Sequence, residues 1–126
     1  MLQATEYQHQ KALFEWSRQA QVRHRWPELA LLYHIKNETT EGAKQVAIDR
    51  AGGVKKGVPD LFLPVGRSGY HGLYIEMKRT GGRLSDEQGW WIVHLKNQGY
   101  CCCVCYGWQQ AADVLEDYLD GKEVRK

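Results

Sequence analysis

Gly57-Val58-Pro59-Asp60-Leu61 and Leu73-Tyr74-Ile75-Glu76-Met77-Lys78 decide how this chain folds. Both are apolar runs of strand length with aromatic or β-branched residues. Between them, Pro64-Val65-Gly66-Arg67-Ser68-Gly69-Tyr70-His71-Gly72 is dense in turn formers. The pattern predicts a β-hairpin with strands over residues 60–63 and 73–78. Alternation along the second strand puts Leu73, Ile75 and Met77 on one face and Tyr74, Glu76 and Lys78 on the other. Glu76 and Lys78 then stand roughly 6.6 Å apart along the strand. Asp60, at the start of the partner strand, can turn toward the same spot.

Two carboxylates and an ammonium on an otherwise apolar hairpin need a physical reason. Unpaired charge in a core is costly, and two carboxylates at one point repel unless a cation lies between them. Hard oxygen donors suit Mg²⁺ or Mn²⁺, which take one or two carboxylates and keep the rest of the shell for water and phosphate oxygens. A lysine alongside can hold an attacking water or the charge developing on a phosphate. The chemistry implied is metal-dependent phosphodiester hydrolysis.

Outward from the hairpin, Thr5 with Gln8 forms a capping box for a helix running to about Ala20, with Ala12, Leu13, Trp16 and Ala20 as its inner stripe. Glu6 falls near the same line, either as a first-turn acid that suits the helix dipole or as a third acid reaching the metal or its waters. Pro27 ends any helix before it. Residues 30–35 read as a strand, with His34 and Asn37 near its end; a lone histidine here is read as structural. Thr39 or Thr40 caps a second helix to about Ala51, stopped by Gly52-Gly53. Gly53-Val54-Lys55-Lys56-Gly57 is a basic loop entering the hairpin. It precedes a strand rather than opening a helix, so neither nucleotide-binding fingerprint applies.

After Lys78, the stretch 79–83 is a turn. Ser85 with Gln88 is a second capping box, opening a helix to about Asn97 with Gly99 as its stop. Gln88 is polar within the stripe Leu84, Gln88, Trp91 and Leu95. Its amide either completes the box or holds a substrate phosphate or the nucleophilic water, two roles that compete for one group. Trp90 and Trp91 read as core or interface. Residues 100–106 form a strand apolar on both faces. Residues 108–119 form a last helix with Ala111, Val114, Leu115 and Tyr118 inward, and the polar tail 120–126 reads as frayed.

Pro59-Asp60, a gap, then Glu76-Met77-Lys78 resembles the PD-(D/E)XK nuclease signature. With Gly57-Val58 before it, Leu84-Ser85-Asp86-Glu87-Gln88 after it and Glu6 in an N-terminal helix, the chain is similar to the VRR-NUC branch in its short standalone form, over about residues 5–119. The resemblance implies an α/β, restriction-endonuclease-like fold: a mixed sheet of about four strands flanked by helices. It implies a Mg²⁺- or Mn²⁺-dependent endonuclease. Asp60, Glu76, the Met77 carbonyl and Glu6 are its expected metal ligands, Asp60, Glu76, Lys78 and Gln88 its expected catalytic residues. It also favours branched DNA as substrate, four-way junctions above all, cut by a homodimer. The alternatives are a nicking or flap nuclease within a larger repair assembly, and a DNA-binding module without catalysis.

The 126 residues suit one domain. Five tryptophans and an apolar fraction of 43% argue against disorder. No apolar run reaches the ~20 residues of a membrane span, and the first residues lack a basic-then-apolar signal, so export is not expected. The net charge of +2 is mild. Its distribution says more: the middle of the chain is basic and the end acidic. Lys55, Lys56, Arg79 and Arg83 are the expected contacts for a phosphate backbone. Four cysteines at 101, 102, 103 and 105 are too clustered for a disulfide framework and lack paired zinc spacing. They read as buried, reduced thiols in a reducing, cytoplasmic compartment.

Overall fold

A computed structural model describes residues 4–37 and 42–124. The elements run α1 (Glu6–Ser17), α2 (Ala20–Arg25), a 3₁₀ turn (Pro27–Leu31), β1 (Tyr33–His34), α3 (Gly42–Ala51), β2 (Leu61–Leu63), β3 (Leu73–Lys78), α4 (Asp86–Asn97), β4 (Cys101–Tyr106) and α5 (Trp108–Leu119). The four strands form one sheet in the order β1-β2-β3-β4. β1 and β3 both pair with β2 antiparallel, and β3 pairs with β4 in parallel, from Leu73 opposite Cys101 to Lys78 opposite Tyr106. This is the expected mixed α/β sheet flanked by helices, and its central hairpin falls where the sequence placed it.

One face of the sheet is apolar across its three inner strands, β2 to β4. Leu61, Leu63, Leu73, Ile75 and Met77 meet Cys101, Cys103 and Cys105 there, beneath Leu13 of α1 and Ala111, Leu115 and Tyr118 of α5. The expected inner face of α5 is buried as read, and the Tyr118 hydroxyl donates to the Val65 carbonyl at 2.6 Å. All four cysteines are buried and none is in a disulfide. Burial pushes Cys105 up to about 12. A hydrogen bond with Cys101, and then burial, push Cys103 higher. Cys103 and Cys105 therefore stay protonated, and the buried cysteines pack as small apolar groups. No described helix is long and apolar enough to cross a membrane.

Local chemistry accounts for the departures from expectation. The first helix ends at Ser17 rather than near Ala20, which is exposed. The buried Ser17 hydroxyl donates back to the Phe14 carbonyl at 2.8 Å, and Arg23 Nε donates to the Ser17 carbonyl at 3.1 Å. A serine back-bond and a guanidinium satisfy this helix end, and neither is a glycine or proline stop. The expected strand over 30–35 shrinks to Tyr33–His34 because Pro27 starts a 3₁₀ turn. Its buried Leu29 and Leu32 follow the i, i+3 spacing of such a turn. The tail is packed through Val124, which joins the core. Asp120 accepts hydrogen bonds from Arg25 at 2.8 Å and Trp26 Nε1 at 3.0 Å. The capping residues Thr39 and Thr40 lie outside the described residues.

Candidate active site

The pocket is built where the hairpin, α1 and α4 meet. Glu76 is 2% exposed and Lys78 7%, both on the face of β3 opposite Met77. Asp60 precedes β2, and its Oδ2 accepts the Met77 N–H at 2.8 Å. Its backbone carbonyl accepts the Ile35 N–H at 2.7 Å and lies 3.0 Å from His34 Nδ1. Asp60 is therefore held from β1 and β3 at once. The N–H and C=O of a strand residue point to the same neighbour, so the Met77 carbonyl also faces the Asp60 side.

Lys78 Nζ stands between two acids, 3.7 Å from Glu76 Oε2 and 3.8 Å from Glu6 Oε1. The Glu76 Oε1 atom is buried without a hydrogen-bond partner. Burial pushes the Glu76 carboxyl up to about 9, helped by the charge and hydrogen bonding of Asp60 and, more weakly, by Glu6; Lys78 opposes them. Without a further cation, the site favours a protonated Glu76.

Gln88 resolves the competition expected for its amide by using both ends. Its Oε1 accepts the Ser85 N–H at 2.8 Å while its backbone N–H donates to Ser85 Oγ at 3.1 Å, completing the capping box. Its Nε2 donates to Glu76 Oε2 at 3.3 Å. The basic loop docks on the same helix turn. Gly57 has φ +92°, and a Cβ there would lie 2.7 Å from the Glu87 backbone carbon. Trp91 Nε1 donates to the Lys56 carbonyl at 3.1 Å. The Gly-Val-Pro-Asp and Leu-Ser-x-x-Gln stretches are thus coupled by direct contact between the Asp60 loop and the start of α4.

The resulting cavity, about 450 Å³, is lined by Glu6, Asn37, Lys56, Asp60, Glu76, Lys78, Arg83 and Gln88, with Gly57 and Ser85. Every expected catalytic side chain lies in it, and so does Glu6. Of the four expected backbone contacts, Lys56 and Arg83 line it, whereas Lys55 and Arg79 do not. Asn37 carries no motif in the sequence, yet it lines the pocket and its buried Oδ1 has no partner. The available signal was a polar residue just past the strand end that delivers His34 to Asp60.

An orphaned buried oxygen, a repelling acid pair and an open cavity suit a hard divalent cation on Asp60 and Glu76. Among the described residues no three acidic, histidine or cysteine side chains form a metal cage. Glu6 instead faces Lys78, at the edge of the acid pair.

A restriction-endonuclease-like sheet bearing an Asp and a Glu-x-Lys in one pocket defines a protein of nuclease type. The VRR-NUC domain family matches residues 4–109, and the chain belongs to that family. It is similar to a solved VRR-NUC domain protein, with a TM-score of 0.78 and 29% identity over 97% of this chain and 93% of the other. No curated protein gives a significant match.

Proposed function

We propose that the chain is a divalent-metal-dependent endonuclease that hydrolyses DNA phosphodiester bonds, acting on branched DNA such as four-way junctions as a homodimer. The observation that carries this reading is the buried, unpartnered Glu76 Oε1 beside Asp60 and Lys78. Asp60 and Glu76 would hold Mg²⁺ or Mn²⁺, with the Met77 carbonyl beside them and Glu6 at the edge. When bound, the ion supplies positive charge that polarises the scissile phosphate and acidifies nearby water.

The protein's own groups do the rest. Gln88 Nε2 fixes one Glu76 oxygen and so orients the carboxylate. Lys78 Nζ donates to the attacking water or to a non-bridging phosphate oxygen as charge develops there. Water adds to phosphorus and one bridging P–O bond breaks, leaving a phosphate end and a hydroxyl end. Lys56 and Arg83 draw the backbone to the pocket mouth. The N-terminus of α4, at Ser85, adds the positive end of a helix dipole. One small chain offers little surface to a four-armed junction, and a two-fold dimer would present two pockets symmetrically.

The test is cleavage of a labelled four-way junction with Mg²⁺, with Mn²⁺ and with chelator, beside Glu76→Ala. Metal-dependent cutting that the substitution abolishes supports the nuclease, and paired symmetric cuts support junction resolution. Preferential cutting of a flap or single nicks would favour a nicking or flap enzyme instead. Tight binding in chelator with no cutting under any divalent ion would favour a non-catalytic module.

A further inference from the structure

Three buried side-chain oxygens lack a hydrogen-bond partner among the described residues: Asn37 Oδ1, Asp49 Oδ2 and Glu76 Oε1. Asp49, on α3, does not line the pocket. Its other oxygen accepts from Gln45 Nε2 at 2.8 Å and pairs with Lys36 Nζ at 3.3 Å. The remaining two oxygens belong to residues that line one cavity. Native interiors leave few such groups unmatched, and two in one cavity point to a common occupant.

Asn37 is held in place by its neighbours. Two residues before it, the Ile35 N–H donates to the Asp60 carbonyl at 2.7 Å. The residue between them is Lys36, which is tied to α3 through Asp49. The chain thus reaches Asn37 fastened to Asp60 itself, and the amide oxygen is positioned yet unmatched. Gln88, the other amide of the pocket, uses its oxygen on Ser85 and its nitrogen on Glu76.

An unmatched oxygen calls for a donor or a cation. A DNA backbone brings only acceptor oxygens, so the substrate's phosphates do not satisfy Asn37 Oδ1. The pocket's ammonium, Lys78 Nζ, stands against Glu76 and Glu6. Both orphaned oxygens are shut off from bulk water. A small divalent ion approaches an oxygen to about 2.1 Å, closer than the ~2.8 Å at which a hydrogen-bonded water stands. Amide carbonyls are ordinary ligands of hard cations. They add an oxygen without adding charge beside two carboxylates that already repel.

We propose that Asn37 Oδ1 is a further, neutral ligand of the divalent ion held by Asp60 and Glu76. The inference rests on the metal-dependent reading above and adds to it a residue from outside the Asp and Glu-x-Lys motif.

The test is calorimetric titration of Mn²⁺ into the protein alone, with melting temperatures taken in chelator, for wild type, Asn37→Ala, Asn37→Asp and Glu76→Ala. Asn37→Ala should bind Mn²⁺ about tenfold more weakly or worse. It should melt in chelator no lower than wild type, because it removes an unmatched buried oxygen. Asn37→Asp returns the oxygen with a charge, and should bind at least as tightly as wild type. In chelator it should melt lower, where a further carboxylate joins the repelling pair. Unchanged affinity in Asn37→Ala overturns the proposal, and so does a loss that Asn37→Asp fails to restore. An Asn37→Ala protein that melts several degrees lower in chelator also overturns it, as the mark of a purely structural residue. Glu76→Ala separates this inference from the reading beneath it. If that variant loses Mn²⁺ while Asn37→Ala keeps wild-type affinity, the metal site stands without Asn37. If Glu76→Ala binds Mn²⁺ as wild type does, or wild type binds none, the metal-dependent reading falls and takes this ligand with it.

Discussion

On one face of β3, Leu73, Ile75 and Met77 meet the thiols of β4 beneath α1 and α5. On the other, Glu76 and Lys78 meet Asp60, Gln88 and Glu6. Water reaches Glu76 scarcely more than it reaches Met77, which is 1% exposed. The first face holds the fold together by burying apolar area. The second puts charge in the same dryness, where attraction and repulsion are both strengthened, and leaves an acid oxygen without a partner. Neighbouring residues on one strand thus serve opposite ends: burial stabilises one row and loads the other for chemistry.

The largest effect that could break this contrast is on cleavage. Lys78→Met keeps the stem and removes the charge, and should cut junction DNA about 10²–10³-fold more slowly with the melting curve little changed. Normal cutting by that variant would place the chemistry elsewhere.

Stability should move in opposite directions on the two faces. Ile75→Ala should cost about 2–5 kcal/mol in denaturant unfolding. Glu76→Gln should instead raise metal-free stability by about 1–3 kcal/mol, because it removes a buried acid with an unsatisfied oxygen. A Glu76→Gln protein less stable than wild type would mean that the acid pair is already compensated.

Titration sharpens the same point. Glu76 ordinarily loses its proton near 4.5 and is held to about 9 in the fold. Between those values the folded protein keeps a proton that the unfolded chain has lost, so metal-free stability should fall as pH rises and level off above about 9. Mg²⁺ should reverse the trend, its stabilising effect growing with pH over that window. Melting temperatures measured in chelator and in Mg²⁺ across this range test it. A metal-free profile that stays flat would sink the raised acid.

The smallest effect belongs to the thiols. Cys103→Ala should cost about 1 kcal/mol by cavity formation and leave cleavage and its metal dependence unchanged. A shift in either would give the cysteines a role beyond packing.

Much of this contrast was legible in the chain. Alternation along 73–78 assigned each side chain its face, and the two Ser/Thr-x-x-Gln boxes placed the starts of α1 and α4. What the sequence hid was decided by contacts distant along the chain or by groups without a pattern. The end of α1 depends on Arg23 reaching back to Ser17. The shortness of β1 depends on a 3₁₀ turn, which the nearly unbroken apolar run from Leu29 to Ile35 does not distinguish from a strand. Asn37 carries no motif, and only the route of the chain past Asp60 brings it to the pocket. Glu6 stood on the right line, but only the position of Lys78 shows which group it faces.

Gln88 has one further consequence. A capping box accepts glutamate as readily as glutamine, because only an acceptor oxygen is asked of it. The start of α4 is therefore indifferent to an exchange at this position, whereas the pocket is not: the atom facing Glu76 would change from a hydrogen-bond donor to a further carboxylate oxygen beside those of Glu6, Asp60 and Glu76. An engineer could use Gln88→Glu as a dial for the charge of the site that the helix itself would not register.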